Sequence, residues 1–350
     1  MSINLQKDLS WEGSLTGLVY KHLFVHPKPL PSGVSLEGKT AIVTGSNGGI
    51  GFEASRQLLQ LGVHRLILAV RSQSRGDTAA AKLREEYPDA RIDVSILDMA
   101  DYDSVLDFVQ RCKDLEHIDY AILNAGLQNL YFQRSDKTSH EMVFQVNYLS
   151  TALLALSLAT TMKEKRRPNN PDQPPVLSVV SSDTLWLSRF QASTDRIISY
   201  MDNPENFSGF RQYMDSKLLI MLFIYQMARL ISPDDVLVNV VNPGLVGSTN
   251  LGGETTVGRF MKIFMRLFTF ALSRSPEVGA SNYIQALVGE GKRSHGSFVS
   301  DWDIKPYPGL LYTSEGQALA EKLWKETMEE LSFVSDRAIG KQFTDRKGHI

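Results

Sequence analysis

The stretch that decides the fold is Thr44-Gly45-Ser46-Asn47-Gly48-Gly49-Ile50-Gly51. It follows the apolar run Ala41–Val43 and opens into Ile50–Leu61, whose apolar residues recur at helical spacing up to Gly62. Glycines between a strand and a helix let the backbone turn tightly and approach a pyrophosphate, which the N–H groups and dipole of the helix N-terminus bind. The strand, glycine loop and helix in this order predict a dinucleotide-binding loop rather than a plain tight turn.

Short β-rich apolar runs alternate with longer helical stretches from Gly38 onward. Most of these runs are continuous rather than alternating, as strands covered on both faces require. Seven strand candidates with helices between them predict an α/β fold: a doubly wound, mainly parallel seven-stranded sheet (Rossmann fold) in a single domain. The seven runs are Ala41–Val43, Leu66–Val70, Ile92–Leu97, Tyr120–Leu123, Val176–Val180, Val236–Val241 and Gly296–Ser300.

The two ends of the chain are predicted to stand apart from that domain. Residues 1–36 contain a short amphipathic candidate, Leu15–Val25, followed by prolines that cannot continue a helix. This segment is predicted to be an N-terminal arm, residues 37–331 the nucleotide-binding domain, and residues 332–350 a C-terminal tail. The first residues lack the apolar core of a signal peptide, so the expected location is cytoplasmic.

Composition narrows the classes of function. The 350 residues are 43% hydrophobic and 22% charged, which is ordinary for a globular domain with a sizeable core. A net charge of −2 gives no electrostatic reason to expect nucleic acid as a partner. Cys112 is the only cysteine, and the histidines show no metal-ligand spacing, so no disulfide and no metal are predicted. A Gly-x-Ser-x-Gly elbow and a Walker-type loop are both absent from the sequence.

The end of the second strand predicts which nicotinamide cofactor binds. An acidic residue there would accept a hydrogen bond from the ribose 2′-OH, whereas an arginine accommodates a 2′-phosphate. The strand ends in Val70-Arg71, with Arg75 nearby and no carboxylate in that position, so Arg71 favours NADP. Asp98, after the third strand, is a candidate for binding the adenine amino group. It could also cap the next helix, although Asp101 is better placed to do so.

Asn124-Ala125-Gly126 follows the fourth strand candidate. Small residues there allow a cofactor ribose to lie against the backbone, while Asn124 can tie strands together. A plain turn after a strand is the alternative interpretation of this tripeptide.

Tyr213 and Lys217 provide a candidate acid/base pair. They are four residues apart within Phe210–Leu230, a run with helical spacing, and therefore project from the same helical face. A free tyrosine is a poor acid or base at neutral pH, but a nearby ammonium stabilises the phenolate. The spacing therefore predicts that Lys217 lowers the pKa of Tyr213 toward neutrality, where proton transfer is efficient.

In these motifs the chain resembles the short-chain dehydrogenase/reductase family, in the style of its retinol-dehydrogenase-like and fungal biosynthetic members. The resemblance covers roughly Leu36 to Leu331 and keeps the family's order of motifs. The matching features are Thr44 to Gly51, Asn124-Ala125-Gly126, Asn147, Ser181-Ser182, Tyr213 with Lys217, and Pro243-Gly244.

The resemblance implies four catalytic residues. Ser182, preferred over its neighbour Ser181, would hydrogen-bond the substrate oxygen and stabilise the charge that develops there. Tyr213 would donate the proton in reduction and accept it in oxidation. Lys217 would lower the pKa of that tyrosine and bind the nicotinamide ribose. Asn147 would hold a water that connects Lys217 to solvent.

The resemblance also implies the cofactor-binding residues. The backbone of Val246, in the loop Pro243–Val246 after the sixth strand, would orient the nicotinamide amide. The family usually has a threonine two residues later, where this chain has Ser248 followed by Thr249, so only the hydroxyl partner is in question. The full set is Gly45, Asn47, Gly49, Ile50, Gly51, Arg71, Asp98, Asn124, Tyr213, Lys217, Val246 and Ser248.

Two segments are candidates for meeting the substrate. Ser182 and Tyr213 are 31 positions apart, more than compact members of the family allow, so Leu185–Phe210 is expected to loop out as an aromatic lid or wall. Phe260–Phe270 is dense in large apolar groups at helical spacing. It is interpreted as a wall of the substrate pocket, with a helix packed on the core or a peripheral membrane contact as alternatives.

The motifs predict an NADP(H)-dependent oxidoreductase that reduces a ketone or aldehyde. The resemblance to the short-chain family, together with the aromatic segments, implies a lipophilic small molecule as substrate and a role in specialised-metabolite biosynthesis. Oxidation of a retinol- or steroid-like alcohol by the same residues is the chief alternative. A cofactor-binding protein without turnover is the alternative from another class. Assembly into a homo-oligomer is a further expectation.

Overall fold

The computed structural model describes residues 1–166, 173–247 and 273–344. Each predicted apolar run forms a strand, and one further strand follows. The strands are β1 Thr40–Thr44, β2 Arg65–Val70, β3 Arg91–Ile96, β4 Tyr120–Leu123, β5 Val176–Val180, β6 Leu237–Val241, β7 Phe298–Ser300 and β8 Asp303–Lys305. They form one sheet in the order β3-β2-β1-β4-β5-β6-β7-β8, and all neighbouring strands are parallel except β7 and β8.

Helices cover both faces of this sheet, which confirms the doubly wound Rossmann fold. Within the described residues the α-helices are α1 Leu9–Glu12, α2 Leu15–Phe24, α3 Gly49–Gln60, α4 Gln73–Glu86, α5 Tyr102–Cys112, α6 Met142–Phe144, α7 Ser150–Glu164, α8 Ile197–Met201, α9 Gly209–Ala228, α10 Pro276–Ile284, α11 Ser314–Glu330, α12 Asp336–Ile339 and α13 Lys341–Thr344. Residues of α3, α4 and α10 share one hydrophobic core, and those of α5, α7, α9 and α11 share another. The continuous apolar strands are buried between these two layers because both of their faces meet helices.

The sheet has eight strands rather than the predicted seven. The extra strand, β8, pairs antiparallel with β7 and places Val299 opposite Ile304. The two strands are joined at Asp301 and Trp302, which both have positive φ, 52° and 58°. A two-residue hairpin turn needs this conformation, but it is normally built from Gly, Asn or Asp. The sequence therefore lacked the usual turn signal at Trp302, and the three-residue strand after it was missed.

Helix α7 is buried along nearly its whole length because the chain's own C-terminal segment covers it. Ile339 and Phe343 are almost completely buried against the core that contains α7. The helical run Met142–Glu164 is long and apolar enough to cross a membrane, and 94% of its most apolar window is buried inside the fold. Burial at this level is what a core helix of a globular domain shows.

The N-terminal arm packs against the β7–β8 edge of the sheet. Ser2 Oγ accepts a hydrogen bond of 2.9 Å from the Phe298 N–H, and the Tyr312 hydroxyl donates to the Ser2 carbonyl at 2.6 Å. Farther along the arm, a β-carbon at Gly13 would lie 3.6 Å from the Trp186 ring. The arm therefore reaches from the sheet edge to the segment Leu185–Phe210, the insertion that follows β5. The division into arm, domain and tail stays a prediction.

Candidate active site

The glycine loop between β1 and α3 has the backbone that a close approach to phosphate requires. Gly45 has φ 66°, a conformation that side chains other than glycine rarely adopt. A β-carbon at Gly51 would lie 2.6 Å from Asn124 Nδ2. Asn124 Nδ2 donates to the Thr44 carbonyl at 2.9 Å, and its Oδ1 accepts from the Tyr283 hydroxyl at 3.1 Å. Asn124 therefore ties β4 to the loop after β1, as expected from the sequence.

The same loop is chemically suited to an anion. No side chain caps the N-terminus of α3, so its first N–H groups have no side-chain acceptor. Ser46 Oγ is buried and has no hydrogen-bond partner among the described residues, whereas Asn47 and Gly49 are exposed. Uncapped N–H groups, an unsatisfied hydroxyl and a glycine backbone open to solvent fit the pyrophosphate of a dinucleotide.

Arg71 and Asp98 lie at the same edge of the sheet, beyond the ends of β2 and β3. Arg71 is exposed, and no ion pair with a described residue holds it. Asp98 Oδ1 accepts from the Ala100 N–H at 3.0 Å, while Asp101 caps α5 by accepting from the Asp103 N–H at 3.0 Å. The cap is thus made by Asp101, and Asp98 Oδ2 is left for another donor.

Ser182 and Ser181 have different environments. The Ser181 hydroxyl is buried and donates to the Lys217 carbonyl at 3.0 Å, so it fixes the backbone of α9. The Ser182 side chain lies within hydrogen-bonding reach of Tyr213. The interaction with Tyr213 favours Ser182 over Ser181, and the catalytic assignment stays a prediction.

Tyr213 and Lys217 project from one face of α9, as their spacing predicts. Lys217 Nζ lies 5.7 Å from the centre of the Tyr213 ring and donates to the Val180 carbonyl at 3.0 Å. Burial lowers the pKa of Lys217 to about 8. Burial raises the pKa of Tyr213, and the hydrogen bond to Ser182 only partly offsets this rise.

The predicted lowering of the Tyr213 pKa by Lys217 is therefore not borne out. The prediction from spacing requires a fully charged ammonium close to the phenol oxygen. In the folded chain that ammonium is directed to the carbonyl of Val180, and its own charge is weakened by burial. The dominant influence on Tyr213 is burial, which keeps the phenol protonated at neutral pH.

Asn147 lies in a π-helical turn, Gln145–Leu149, just before α7. Its Nδ2 donates to the Leu127 carbonyl at 2.9 Å and to Ser216 Oγ at 3.2 Å, and its Oδ1 accepts from the Leu127 N–H at 2.9 Å. A β-carbon at Gly126 would lie 3.2 Å from Asn147 Oδ1 and 3.6 Å from Lys217 Nζ. A side chain at position 126 would therefore contact both Asn147 and Lys217. Oδ1, with one hydrogen bond made, is the side-chain atom open to a water.

The loop Pro243–Val246 after β6 adjoins Ser182 at the same edge. Asn242 Oδ1 accepts from the Asp183 N–H at 3.2 Å, which links the end of β6 to the residue after Ser182. Val246 forms a bridge with Arg274. Ser248, Thr249 and the apolar segment Phe260–Phe270 lie outside the described residues.

The insertion Leu185–Phe210, which follows Ser182, is fixed to α11. The Glu326 carboxylate accepts from the N–H groups of Ile197 and Ile198, both at 3.1 Å. Ser188 Oγ donates to Asp215 Oδ1 at 2.6 Å. A cavity of about 240 Å³ adjoins the insertion and is lined by Leu185, Trp186, Ser188, Phe190, Leu218, Pro308, Gly309 and Leu310.

Sequence reasoning missed a buried network at this edge. It assigned no role to His22, Lys21, Arg274 or Asp301. All four contact one another or the loop after β6. The partners are separated by up to 280 positions, so no local pattern could have revealed them.

Comparison with known proteins places the chain in a family. The profile of the short chain dehydrogenase family matches residues 39–169. The chain is 46% identical over 342 residues to the short chain dehydrogenase virL of Hypocrea virens, covering 97% of this chain and 98% of the relative. It is 42% identical over 315 residues to the short chain dehydrogenase/reductase mfmJ of Annulohypoxylon moriforme, covering 89% and 90%. The chain therefore belongs to the short-chain dehydrogenase/reductase family and is an oxidoreductase.

Solved structures share the fold. The L-sorbose reductase of Gluconobacter frateurii, complexed with NADPH and L-sorbose, has a TM-score of 0.57 at 18% identity and covers 76% of this chain and 96% of its own. A 3-oxoacyl (acyl-carrier-protein) reductase of Agrobacterium tumefaciens with NADP bound has a TM-score of 0.55 at 18% identity, covering 76% and 94%. At this identity the likeness concerns the fold alone.

Proposed function

We propose that the protein is an NADP(H)-dependent reductase that transfers a hydride to the carbonyl carbon of a lipophilic small molecule in specialised-metabolite biosynthesis. The observation that carries the proposal is the meeting of Ser182, Tyr213 and Lys217 at the carboxyl edge of the sheet, beside the glycine loop. Ligands of doubly wound sheets bind at this edge.

The residues that would hold the cofactor follow from their positions. The glycine loop and the uncapped start of α3 would bind the pyrophosphate, Asp98 the adenine and Asn124–Gly126 the ribose side. The loop Pro243–Val246 would support the nicotinamide amide. When bound, the reduced nicotinamide supplies the hydride.

Arg71 supports NADP rather than NAD. A 2′-phosphate carries nearly two negative charges, and a guanidinium can bind it with two charge-assisted hydrogen bonds. Arg71 is exposed at the end of β2, with Ser72 and Arg75 following, and these residues can complete an anion site. No carboxylate in this stretch would repel the phosphate.

Tyr213 would act as the proton donor. Reduction adds a hydride to the carbonyl carbon and a proton to its oxygen, and the Tyr213 hydroxyl supplies that proton. Its raised pKa keeps the phenol protonated at neutral pH, which is the form that reduction requires. Ser182 would donate a hydrogen bond to the same oxygen and stabilise its developing charge.

Lys217 and Asn147 would return the proton to Tyr213. With a pKa of about 8, Lys217 is mostly protonated at pH 7 but gives up a proton more readily than an exposed lysine. Asn147 Oδ1 and Lys217 Nζ both border the position of a β-carbon at Gly126, at 3.2 and 3.6 Å. A water on Asn147 would connect the lysine to solvent.

The substrate class is inferred from the insertion. Trp186 and Phe190 line the cavity of about 240 Å³ that adjoins it, and Ser188 is among its few polar lining residues. Pockets of this chemistry suit an apolar or polycyclic molecule. The cytoplasmic location, peripheral membrane contact and homo-oligomer stay predictions.

Replacing Tyr213 by Phe tests the proposal. Tyr213→Phe should lower the turnover of a lipophilic ketone with NADPH by at least about 100-fold, because the proton donor is lost. NADPH affinity, measured by nicotinamide fluorescence, should stay within about threefold of the wild type. Tyr87→Phe, at the end of α4, is the matched control and should leave both quantities unchanged. A Tyr213→Phe variant that keeps its rate would exclude this mechanism.

A further inference from the structure

His22, near the end of α2 in the N-terminal arm, hydrogen-bonds the loop after β6. The Leu245 N–H donates to His22 Nε2 at 2.9 Å, across 223 positions of sequence. A ring nitrogen that accepts a hydrogen bond carries no proton, so His22 makes this contact as a neutral imidazole. The arm thereby reaches the loop Pro243–Val246 directly.

Arg274 holds the same loop from the other side and also binds the arm. The Arg274 N–H donates to the Leu245 carbonyl at 2.8 Å, and its Nη2 donates to the Lys21 carbonyl at 3.3 Å. Gly244 has φ 81°, and a β-carbon there would lie 2.6 Å from Arg274 Nη1. The loop is therefore packed directly on the guanidinium and enclosed between Arg274 and His22.

A buried, balanced set of charges joins the arm to this site. Lys21 Nζ lies 3.0 Å from Glu12 Oε2 and 3.9 Å from Asp301 Oδ2, and Arg274 Nη2 lies 2.6 Å from Asp301 Oδ1. Burial opposes the charge of Lys21, but Asp183, Asp301 and Glu12 together raise its pKa. Burial raises the pKa of Asp183, the residue after Ser182, and Lys21 acts in the opposite sense. Lys305 Nζ also lies 2.8 Å from Glu12 Oε1, so among the described residues the set comprises the cations Lys21, Arg274 and Lys305 and the carboxylates Glu12, Asp183 and Asp301.

The β7–β8 turn beneath this set is held in a strained conformation. Asp301 and Trp302 are consecutive non-glycine residues with positive φ, a conformation that side chains rarely adopt. The Trp302 N–H donates to Asn282 Oδ1 at 2.9 Å, and the Arg274 guanidinium lies 4.7 Å from the centre of the Trp302 ring. Such strain persists only where the surroundings impose it, so the support under the loop is rigid.

We propose that His22 is a positioning residue of the active site, through which the N-terminal arm sets the orientation of the loop Pro243–Val246 and so the binding of the nicotinamide end of the cofactor. This inference depends on the assignment of that loop under "Proposed function". His22 acts on the loop through the Leu245 backbone, and no contact with substrate or cofactor is required of it.

The test separates the two halves of the cofactor. NADPH contains the nicotinamide, whereas adenosine 2′,5′-bisphosphate keeps the adenine and the 2′-phosphate but lacks the nicotinamide. His22→Ala should weaken NADPH binding about tenfold, as expected for one lost hydrogen bond, and leave the affinity for adenosine 2′,5′-bisphosphate unchanged. His22→Gln, whose amide oxygen can accept from Leu245, should restore NADPH affinity to within about threefold. His26→Ala, at an exposed histidine of the same arm, is the matched control and should match the wild type.

Several outcomes would overturn the inference. Unchanged NADPH affinity in His22→Ala would show that the hydrogen bond does not position the loop. Equal loss of both ligands, without rescue by His22→Gln, would show a general structural role. If His22→Ala is unstable, comparing His22→Gln with His22→Asn, whose side chain is too short to reach Leu245, answers the same question. A wild-type protein that binds neither ligand would instead refute the proposed function.

Discussion

His140 joins three parts of the chain, and its charge should make the stability of the fold depend on pH. Nδ1 lies 2.6 Å from Asp202 Oδ2, just after α8, and Nε2 lies 3.0 Å from Glu330 Oε1, at the end of α11. Burial opposes the charge, but the hydrogen bonds to Asp202 and Glu330 raise the pKa of His140 to about 9. The charged ring therefore holds the insertion against α11 at neutral pH.

The size of this contribution follows from the pKa difference. Histidine in an unfolded chain has a pKa of about 6.5, so a folded value of about 9 corresponds to at most about 3 kcal/mol. Screening by solvent reduces this to about 1–2 kcal/mol. Because the folded pKa is the higher one, the stabilisation is fully present below about pH 6.5 and is lost as the pH rises through about 9. On the acid side, the hydrogen bond from His140 lowers the pKa of Glu330, so protonation of that carboxylate also weakens the contact.

Urea unfolding between pH 6 and pH 10 measures the effect as a difference between variants. His140→Gln should lower the free energy of unfolding by about 1–2 kcal/mol at pH 6.5, and the gap to the wild type should close by pH 10. His64→Gln, at an exposed histidine, should follow the wild type throughout. A gap that stays constant up to pH 10 would show that the ring is uncharged in the folded protein, and the reasoning would be refuted.

Two further variants test the glycine loop and the insertion. Gly51→Ala places a β-carbon 2.6 Å from Asn124 Nδ2 and should weaken NADPH binding by at least about tenfold in a fluorescence titration. Gly13→Ala, in the N-terminal arm, adds a β-carbon 3.5 Å from the Leu9 carbonyl oxygen, an ordinary contact, and should stay within about twofold. Glu326→Ala leaves two backbone N–H groups of the insertion unpaired and should lower the free energy of unfolding by about 2–4 kcal/mol. Glu329→Ala on the exposed face of the same helix should change it by less than about 0.5 kcal/mol, and equal effects of the two substitutions would contradict the assignment.

Most of the seven predicted strands could be recognised because they are continuous apolar runs buried on both faces; β3, whose Arg91 and Ile96 are exposed, is the exception. β8 could not, because its turn uses Trp302 where a glycine or asparagine would have signalled a hairpin. A local sequence pattern indicates which strands are buried and where common turns lie. It does not indicate a strained turn that distant residues hold in place.

The candidate site divides in the same way. Tyr213 and Lys217 were proposed from their spacing, and Ser182 from the family resemblance. The direction of the Tyr213 pKa was mispredicted, because spacing gives neither the depth of burial nor the carbonyl to which Lys217 Nζ is directed. His22 and Arg274 were missed because their partners lie far away in sequence.

The most direct test of the central claim is a titration of the purified protein with NADPH and with NADH, followed by nicotinamide fluorescence, in the wild type and in Arg71→Ala. We expect the wild type to bind NADPH more tightly than NADH. Arg71→Ala should weaken NADPH binding by about 10- to 100-fold, because charge-assisted hydrogen bonds to the 2′-phosphate are lost. The same substitution should leave NADH binding nearly unchanged. Tighter binding of NADH by the wild type would contradict the assignment of Arg71, and binding of neither cofactor would contradict the proposed function as a whole.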